Sequence, residues 1–185
     1  MKHEYWYWKN FICLKDREKL VNHIENNYDF LEEENLYDKR LKKTNPVKCI
    51  EWCNIQKFDI VKYIVDCMIT TNENNFGYNL YSFHNHTAFN LTSYSSDRQE
   101  EYKWHMDAST NDIKDIKLTG LLNLSFEKYE GGEFQLNDGE EFTIKEFSEG
   151  GDMILIKSNL LHRVKPVTKG VRKTLAFFFE GPRFV

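Results

Sequence analysis

The segment YKWHMDAS, residues 102–109, places a histidine and an aspartate two positions apart. The alternation around them predicts a strand, in which residues i and i+2 point to the same face of a sheet. His105 and Asp107 can therefore present an imidazole nitrogen and a carboxylate oxygen to one point in space. An isolated pair with this spacing is common by chance, so a polar pair on a solvated face is the alternative interpretation.

A histidine and an arginine further along the chain extend this pattern. His162 ends the mostly apolar run GDMILIKSNLLH, and Arg172 opens a nearly all-apolar run. Arginine is rarely buried without an anionic partner, so Arg172 is a candidate fork for the carboxylate of an organic acid. Two histidines and one carboxylate bind non-haem Fe(II) on one face and leave positions open for substrates. His105, Asp107 and His162 are therefore candidate iron ligands.

Other metal-ligating side chains are weaker candidates. His84 and His86 alternate in the segment FHNHT, but no carboxylate lies at the matching spacing. The four cysteines contain no CxxC pair, and a chain of 185 residues is large enough to fold without disulfides. We interpret the cysteines as reduced, mostly buried thiols, with a zinc half-site at Cys49 and Cys53 as the alternative.

Two segments near the N-terminus have the spacing of amphipathic helices. The apolar residues of 15–28 form one stripe, and Asp16 is a candidate N-cap. The wider stripe of 58–70 predicts a helix that is well buried on one side. Trp6 and Trp8 are interpreted as an anchoring strand or cap, with an exposed aromatic patch for a partner as the alternative.

After Gly77 the period changes from helical to alternating, and turn residues separate short runs rich in β-formers. The pattern predicts strands near 78–94, 101–107, 116–125, 132–136, 141–146, 152–156, 161–165 and 171–180. Gly131 and Gly132 are interpreted as a tight turn, because no helix start follows them that could form a phosphate site. Many short strands of this kind favour a sandwich or double-sheet jelly roll, with the early helices covering one sheet.

The composition excludes several classes of protein. The 25 Lys and Arg residues are balanced by 29 Asp and Glu, giving a net charge of −4, so no overall field attracts nucleic acid or anionic lipid. The basic run at 39–43 follows acidic residues at 32–34 and is interpreted as solvated surface. No apolar run is long enough to cross a membrane, and no signal peptide is recognisable. We therefore expect a single cytosolic domain.

The element order resembles that of the Fe(II)- and 2-oxoglutarate-dependent dioxygenases. The shared features are HxD, a distal histidine in a strand after a Gly-Asp turn, and an arginine ten residues beyond that histidine. The segments YEGGEF, LLHRVKPVTKGVR and EGPRF resemble the small prolyl 4-hydroxylase-like oxygenases of bacteria and phages. The resemblance covers roughly residues 75–185 in one order, so it is more specific than any single motif.

The resemblance implies a fold and a set of site residues. The fold is a double-stranded β-helix, a form of jelly roll, with helices on its larger sheet; residues 1–74 would be a mostly helical support and 75–185 the catalytic core of one domain. The implied cofactors are Fe(II), 2-oxoglutarate and O2, with ascorbate as a candidate reductant. The cosubstrate residues would be Arg172, Thr174 and Tyr94, with Asn123 where many prolyl hydroxylases carry a second tyrosine.

The resemblance also implies a reaction, in which 2-oxoglutarate is oxidatively decarboxylated and a substrate C–H bond is hydroxylated. The expected substrate is a prolyl residue of a peptide, modified at C4. We expect the protein to act in the cytoplasm, which would be the host cytoplasm if it is encoded by a phage. Tyr102 and Trp104 would flank the mouth of the site together with a mobile loop at 95–101, although Trp104 could instead fill the edge of the core. The alternatives are an oxygenase of nucleobases or free amino acids, and a non-catalytic binding module of the same fold.

Overall fold

The computed structural model describes residues 4–29, 47–108 and 114–183. Its helices are α1 (Leu14–Asn27), α2 (Trp52–Ile55) and α3 (Asp59–Thr71), the last continued by a π-helical turn, Asn72–Phe76. A six-stranded sheet has the order β1 (Tyr5–Trp8), β9 (Met153–Lys157), β5 (Lys114–Asn123), β12 (Val171–Pro182), β3 (Ala88–Ser95) and β2 (Val47–Glu51). A four-stranded sheet has the order β4 (Tyr102–His105), β10 (Leu161–Val164), β7 (Phe134–Asn137) and β8 (Glu141–Thr143). The short strands β6 (Glu130–Gly131) and β11 (Val167–Lys169) pair with each other.

The expected jelly roll with helices on the larger sheet is confirmed. One hydrophobic core lies between the two sheets, and a second lies between the larger sheet and the helices. Strand β12 lies between the two cores, and its side chains alternate between them. Leu175, Phe177 and Phe179 belong to the core on the helix side. Arg172 and Thr174 point the other way and line a cavity between the sheets. The strand at the centre of the fold therefore carries the predicted carboxylate fork on its inner face.

The predicted helices are present, and α3 packs closely on the sheet. The buried residues of α3 are Val61, Ile64, Val65, Met68 and Thr71, as its apolar stripe indicates. A Cβ atom on Gly120 of β5 would lie only 2.4 Å from Met68 Sδ, so a larger residue there would force the Met68 side chain to move. The N-cap prediction was wrong: α1 begins at Leu14 after Cys13, which has the extended backbone of a cap, and Asp16 lies in the first turn. Its carboxylate still suits the positive end of the helix.

The strand predicted at 78–94 begins later than expected. Only Ala88–Ser95 forms β3, because local side-chain hydrogen bonds hold the preceding segment in an irregular path. Asn72 Oδ1 accepts from the Tyr78 N–H, and Thr87 Oγ1 accepts from the His84 N–H. The apolar residues of this segment are visible in the sequence, and they led to the longer prediction. The side-chain hydrogen bonds that keep the segment out of the sheet are not visible there.

The first part of the chain contributes strands as well as helices. Strand β1, which carries Trp6 and Trp8, pairs with β9, so the anchoring-strand interpretation of this segment is confirmed. Strand β2 pairs with β3 at the other edge of the same sheet. The proposed boundary at residue 74 stays a prediction, and the basic run at 39–43 lies outside the described residues. No helix in the described part of the chain is long and apolar enough to cross a membrane.

Candidate active site

Three metal-ligating side chains meet at the end of the smaller sheet. His105 ends β4, Asp107 follows two residues later, and His162 lies on β10 directly opposite His105 in the strand register. Their ligand atoms all lie within 4.8 Å of one another, as the sequence spacing predicts. Asp107 lies beyond the strand end, however, and the Ser158 carbonyl fixes its position by accepting its N–H at 3.0 Å.

Both imidazole rings are held in one orientation by backbone carbonyls. His105 Nδ1 lies 2.7 Å from the Lys103 carbonyl oxygen, and His162 Nδ1 lies 2.9 Å from that of Leu160. Because a carbonyl oxygen only accepts hydrogen bonds, each Nδ1 must carry the proton that it donates. The Nε2 atoms therefore point at Asp107, 3.4 and 3.3 Å from its carboxylate oxygens, and a bound cation would take the place of the Nε2 protons between them.

Asp107 has a further support that the sequence pattern did not reveal. The Thr119 hydroxyl on β5 donates to Asp107 Oδ2 at 2.8 Å, and Ser158 Oγ lies 3.0 Å from Thr119 Oγ1. Thr119 and Ser158 are both fully buried. The one available signal was a threonine within the otherwise apolar run LTGLL, where a buried hydroxyl needs a partner.

Thr119→Val should therefore weaken metal binding without changing the ligands themselves. Loss of a hydrogen bond to a ligating carboxylate typically lowers metal affinity by about 10- to 100-fold. We expect a loss in this range in an anaerobic Fe(II) titration, whereas Thr168→Val, at an exposed position of β11, should bind iron as the unaltered protein does. Equal iron affinity in Thr119→Val and the unaltered chain would contradict this role for the hydroxyl.

The electrostatics keep Asp107 in its charged form. Burial by itself would raise the pKa of Asp107, but the hydrogen bonds from His105 and His162 and their charges outweigh it and hold this pKa well below its usual range. Burial would likewise lower the pKa of His162, and the interactions with Asp107 outweigh that effect and raise it. A metal ligand must be deprotonated, so an ionised Asp107 is suited to bind a cation.

Arg172 is fully buried and only partly satisfied. Its Nη1 donates to Thr174 Oγ1 at 2.5 Å, but Nε and Nη2 have no hydrogen-bond partner in the described part of the chain. The aromatic rings of Tyr94 and Phe147 lie 5.3 and 5.5 Å from its guanidinium carbon. A buried cation without a carboxylate partner is costly, so the geometry favours an anionic ligand that fills this position.

One cavity of about 110 Å³ connects Arg172 with the three metal-ligating side chains. It lies between the sheets, and its lining includes Tyr94, which is the register partner of Arg172 on β3. Burial raises the pKa of Tyr94 despite the nearby Arg172 charge, so the hydroxyl is a neutral hydrogen-bonding group. The cavity can hold one anionic end of a ligand at the arginine while the other end reaches the metal-binding atoms.

The family model of the 2OG-Fe(II) oxygenase superfamily matches residues 89–180, from within β3 to within β12. The matched range contains all three candidate metal ligands and Arg172. The chain belongs to the 2OG-Fe(II) oxygenase superfamily. The sequence-based resemblance to the Fe(II)- and 2-oxoglutarate-dependent dioxygenases is thereby confirmed.

Individual proteins agree with the superfamily assignment. A PKHD-type hydroxylase of Herminiimonas arsenicoxydans is 36% identical over 90 residues, covering 44% of this chain and 39% of the relative, so the match spans about two fifths of that protein. The viral collagen prolyl hydroxylase of Paramecium Bursaria Chlorella virus-1, solved with 2OG, has a TM-score of 0.69 at 14% identity over 97% of both chains. A Trichoplax adhaerens prolyl hydroxylase, in complex with a hypoxia inducible factor peptide fragment, has a TM-score of 0.64 at 16% identity over 95% of this chain and 83% of that one. The two structures share the fold.

The side chains of this superfamily member fit Fe(II) and 2-oxoglutarate. Two imidazoles and one carboxylate are the donor set of non-haem iron sites with open positions. The unsatisfied N–H groups of Arg172 fit a second carboxylate in the same cavity. The Thr174 hydroxyl accepts a hydrogen bond from Arg172, and its own proton can be donated to the same carboxylate.

Asn123 lies beside Thr174 rather than in the cavity lining. It is the register partner of Thr174 and is fully buried. Its Nδ2 donates to the Tyr129 hydroxyl at 2.9 Å, and its Oδ1 accepts from the Ser125 N–H. Direct binding of the cosubstrate by Asn123 stays a prediction.

Tyr129, a residue that the sequence reasoning missed, lies close to Arg172 beside Gly132. A Cβ atom on Gly132, whose φ is +65°, would contact both Arg172 Cδ at 3.0 Å and the Tyr129 ring at 3.4 Å. The tight turn expected at Gly131 and Gly132 was wrong, because Gly131 belongs to β6 and pairs with Val167. Both glycines have positive φ angles where the chain passes close to the buried arginine.

The two residues predicted at the mouth have different environments. The Tyr102 ring lies 4.0 Å from the His105 ring and borders the cavity, while Trp104 lies under the guanidinium of Arg163 at 4.6 Å. Trp104 belongs to neither hydrophobic core, so the interpretation that it fills the core edge was wrong. The loop at 95–101 is held in place by the buried Glu100, which accepts from the Ser95 N–H and pairs with Arg98. The mobility expected of this loop stays a prediction.

The weaker metal candidates do not form a second site in the described part of the chain. His84 and His86 are exposed, and His86 pairs with Glu51 at 2.9 Å. Cys49 and Cys53 belong to no group of three ligating side chains among the described residues. All four cysteines are free, but Cys13 is exposed and the others are partly buried, so the expectation of mostly buried thiols was wrong.

Proposed function

We propose that this chain is an Fe(II)- and 2-oxoglutarate-dependent hydroxylase that acts on a prolyl residue of a peptide, at C4. One observation carries the proposal: a two-histidine, one-carboxylate cluster and a buried arginine with unsatisfied N–H groups face the same cavity. A binding module of the same fold would need neither the complete ligand set nor the arginine at its base. The combination therefore favours an enzyme.

The chain's own residues bind and orient. His105, Asp107 and His162 would hold Fe(II) from one side, with their orientation set by the Lys103 and Leu160 carbonyls. With O2, the bound iron and 2-oxoglutarate supply the oxidation that hydroxylates an unactivated C–H bond and leaves succinate and CO2. No side chain of the cavity is required as a general acid or base.

The arginine end of the cavity would position the cosubstrate. Arg172 would donate from Nε and Nη2 to the distal carboxylate of 2-oxoglutarate, and Thr174 would share that carboxylate. The Tyr94 and Phe147 rings beside Arg172 keep this end of the cavity free of bulk water, which strengthens the ion pair. A fixed distal carboxylate limits how the rest of the molecule can approach the metal ligands.

The prolyl substrate is supported by the shape of the mouth and by the relatives. A groove bordered by Tyr102 and Trp104 runs past His105 and Asp107, and we expect an extended chain to lie along it. Proline-containing segments are already extended and lose little entropy when they bind in such a groove. The Trichoplax neighbour is a prolyl hydroxylase solved with a peptide, and the viral neighbour is a collagen prolyl hydroxylase.

The proposal is tested by incubating the protein with Fe(II), 2-oxoglutarate and a library of proline-containing peptides. We expect mass spectrometry to find one added oxygen on proline and hydrolysis to yield 4-hydroxyproline, while peptides with alanine in place of proline stay unmodified. If 2-oxoglutarate is consumed and a nucleoside or free amino acid is oxidised instead, the prolyl proposal is wrong and the oxygenase assignment stands.

A further inference from the structure

The groove beside the metal ligands contains an arginine that the proposed reaction does not use. Residues of β4 and β10 line this groove together with Phe178 of β12, and His105 and Asp107 form part of its wall. An occupant that extends from the metal site along this groove therefore passes Trp104 and Arg163. Because the wall is continuous with the metal site, the groove fits the part of a substrate that flanks the oxidised residue.

Arg163 is held in a fixed orientation on the groove wall. Its guanidinium carbon lies 4.6 Å above the Trp104 ring, and its Nε donates to Gln135 Oε1 at 2.7 Å. The Gln135 amide is in turn oriented by the Thr143 hydroxyl at 2.9 Å. An arginine that is already stacked and hydrogen-bonded loses little entropy when it binds a carboxylate, and its planar fork suits that anion.

The intramolecular partner of Arg163 is weak. Glu141 Oε2 lies 3.5 Å from Nη2, and the Glu141 side chain is 52% exposed. An exposed pair at this distance contributes little free energy because water screens it. In the described part of the chain no acceptor lies within hydrogen-bond distance of Nη1, so the guanidinium retains a donor for a ligand.

The charges of the groove select the kind of ligand. Besides the metal ligand Asp107, its charged residues are Glu101 at one end and the cations Lys103 and Arg163. Asp107 and Glu101 balance the two cations over the whole groove, so an anion is favoured only close to Lys103 and Arg163, whose positive charges contrast with the net charge of −4 of the whole protein. We propose that Arg163, supported by Trp104, binds a carboxylate of the peptide substrate close to the residue that is oxidised. This inference rests on the proposed function.

The experiment compares peptides that differ in one charge. Each has a central proline and an amidated C-terminus, and a single Asp is scanned along the chain and matched with Asn at the same position. We expect the KM of the best Asp peptide to be about tenfold lower than that of its Asn partner, with similar kcat. The reason is that the Asn peptide cannot form the charge-assisted hydrogen bond that the Asp carboxylate accepts. A neutral peptide with a free C-terminal carboxylate shows whether the anion is a side chain or a chain end.

Variants of the protein assign the effect to Arg163. Arg163→Ala should remove the preference for Asp, and Arg163→Lys should retain only part of it, because lysine has the charge without the fork. Glu141→Gln should lower the KM of the Asp peptide further, since it removes a competing carboxylate. Lys103→Ala should keep the preference; if it removes the preference and Arg163→Ala does not, the assignment to Arg163 is wrong.

Two failures are distinguishable. Equal KM values for the Asp and Asn peptides, with both hydroxylated, would overturn the carboxylate site and leave the prolyl function intact. If neither peptide is hydroxylated while another class of compound is, the prolyl function is wrong and the carboxylate inference falls with it.

Discussion

Asp107→Ala is expected to abolish substrate turnover while the protein remains folded. Asp107 supplies the only carboxylate of the three-ligand cluster, and His105 and His162 alone would leave iron weakly held and without its charge partner. Asp107 lies beyond the end of β4, at the mouth of the jelly roll rather than in either hydrophobic core. Loss of its side chain should therefore affect metal binding much more than packing.

Iron content after anaerobic loading and turnover should be measured together with thermal unfolding. His105→Ala and His162→Ala are expected to be equally inactive, whereas Asp138→Ala, at an exposed turn between β7 and β8, should retain normal iron content and activity. If two of the three ligand variants keep near-normal iron-dependent activity, the assigned ligand set is wrong.

Arg172→Ala is expected to raise the KM for 2-oxoglutarate strongly. Truncating one partner of a buried, hydrogen-bonded charge pair typically costs about 2–5 kcal/mol, which corresponds to roughly 30-fold to a few thousand-fold in affinity. The side chain is 1% exposed and has two nitrogens without a hydrogen-bond partner, so the ligand carboxylate would be its principal anionic partner. The effect should appear in the KM for 2-oxoglutarate and not in iron affinity.

Two substitutions provide the comparison for Arg172→Ala. Arg172→Lys should be intermediate, because an ammonium keeps the charge but donates from a single point. Thr174→Val should cost much less, since it removes one neutral hydroxyl. Unchanged 2-oxoglutarate affinity in a folded Arg172→Ala protein would rule out the proposed clamp.

The parts of the site that the sequence predicted share one property. His105, Asp107, His162 and Arg172 are strongly polar residues at strand ends or within apolar strands, so their presence needs a chemical reason that spacing can suggest. The helices were predictable for a similar reason, because the apolar stripe of α3 repeats at helical spacing and is buried as expected.

The parts of the site that the sequence did not predict depend on contacts between segments that are distant along the chain. Thr119 reaches Asp107, and Tyr129 reaches Asn123, only after the strands have paired in their actual register. A threonine or tyrosine in a strand-like run is ordinary in composition, so nothing in the local pattern marks it. The stacking of Arg163 on Trp104 likewise requires β4 and β10 to be neighbours, which the chain order does not reveal.

The most direct test of the central claim is the production of succinate from 2-oxoglutarate. The protein should be incubated with 2-oxoglutarate, O2 and a proline-containing peptide, with and without Fe(II), and succinate should be quantified by NMR. We expect succinate to form only with iron, to rise with added peptide, and to be absent for His162→Ala. If the unaltered protein binds iron and 2-oxoglutarate but forms no succinate with any peptide, nucleoside or amino acid, the chain is a binding module and not an oxygenase.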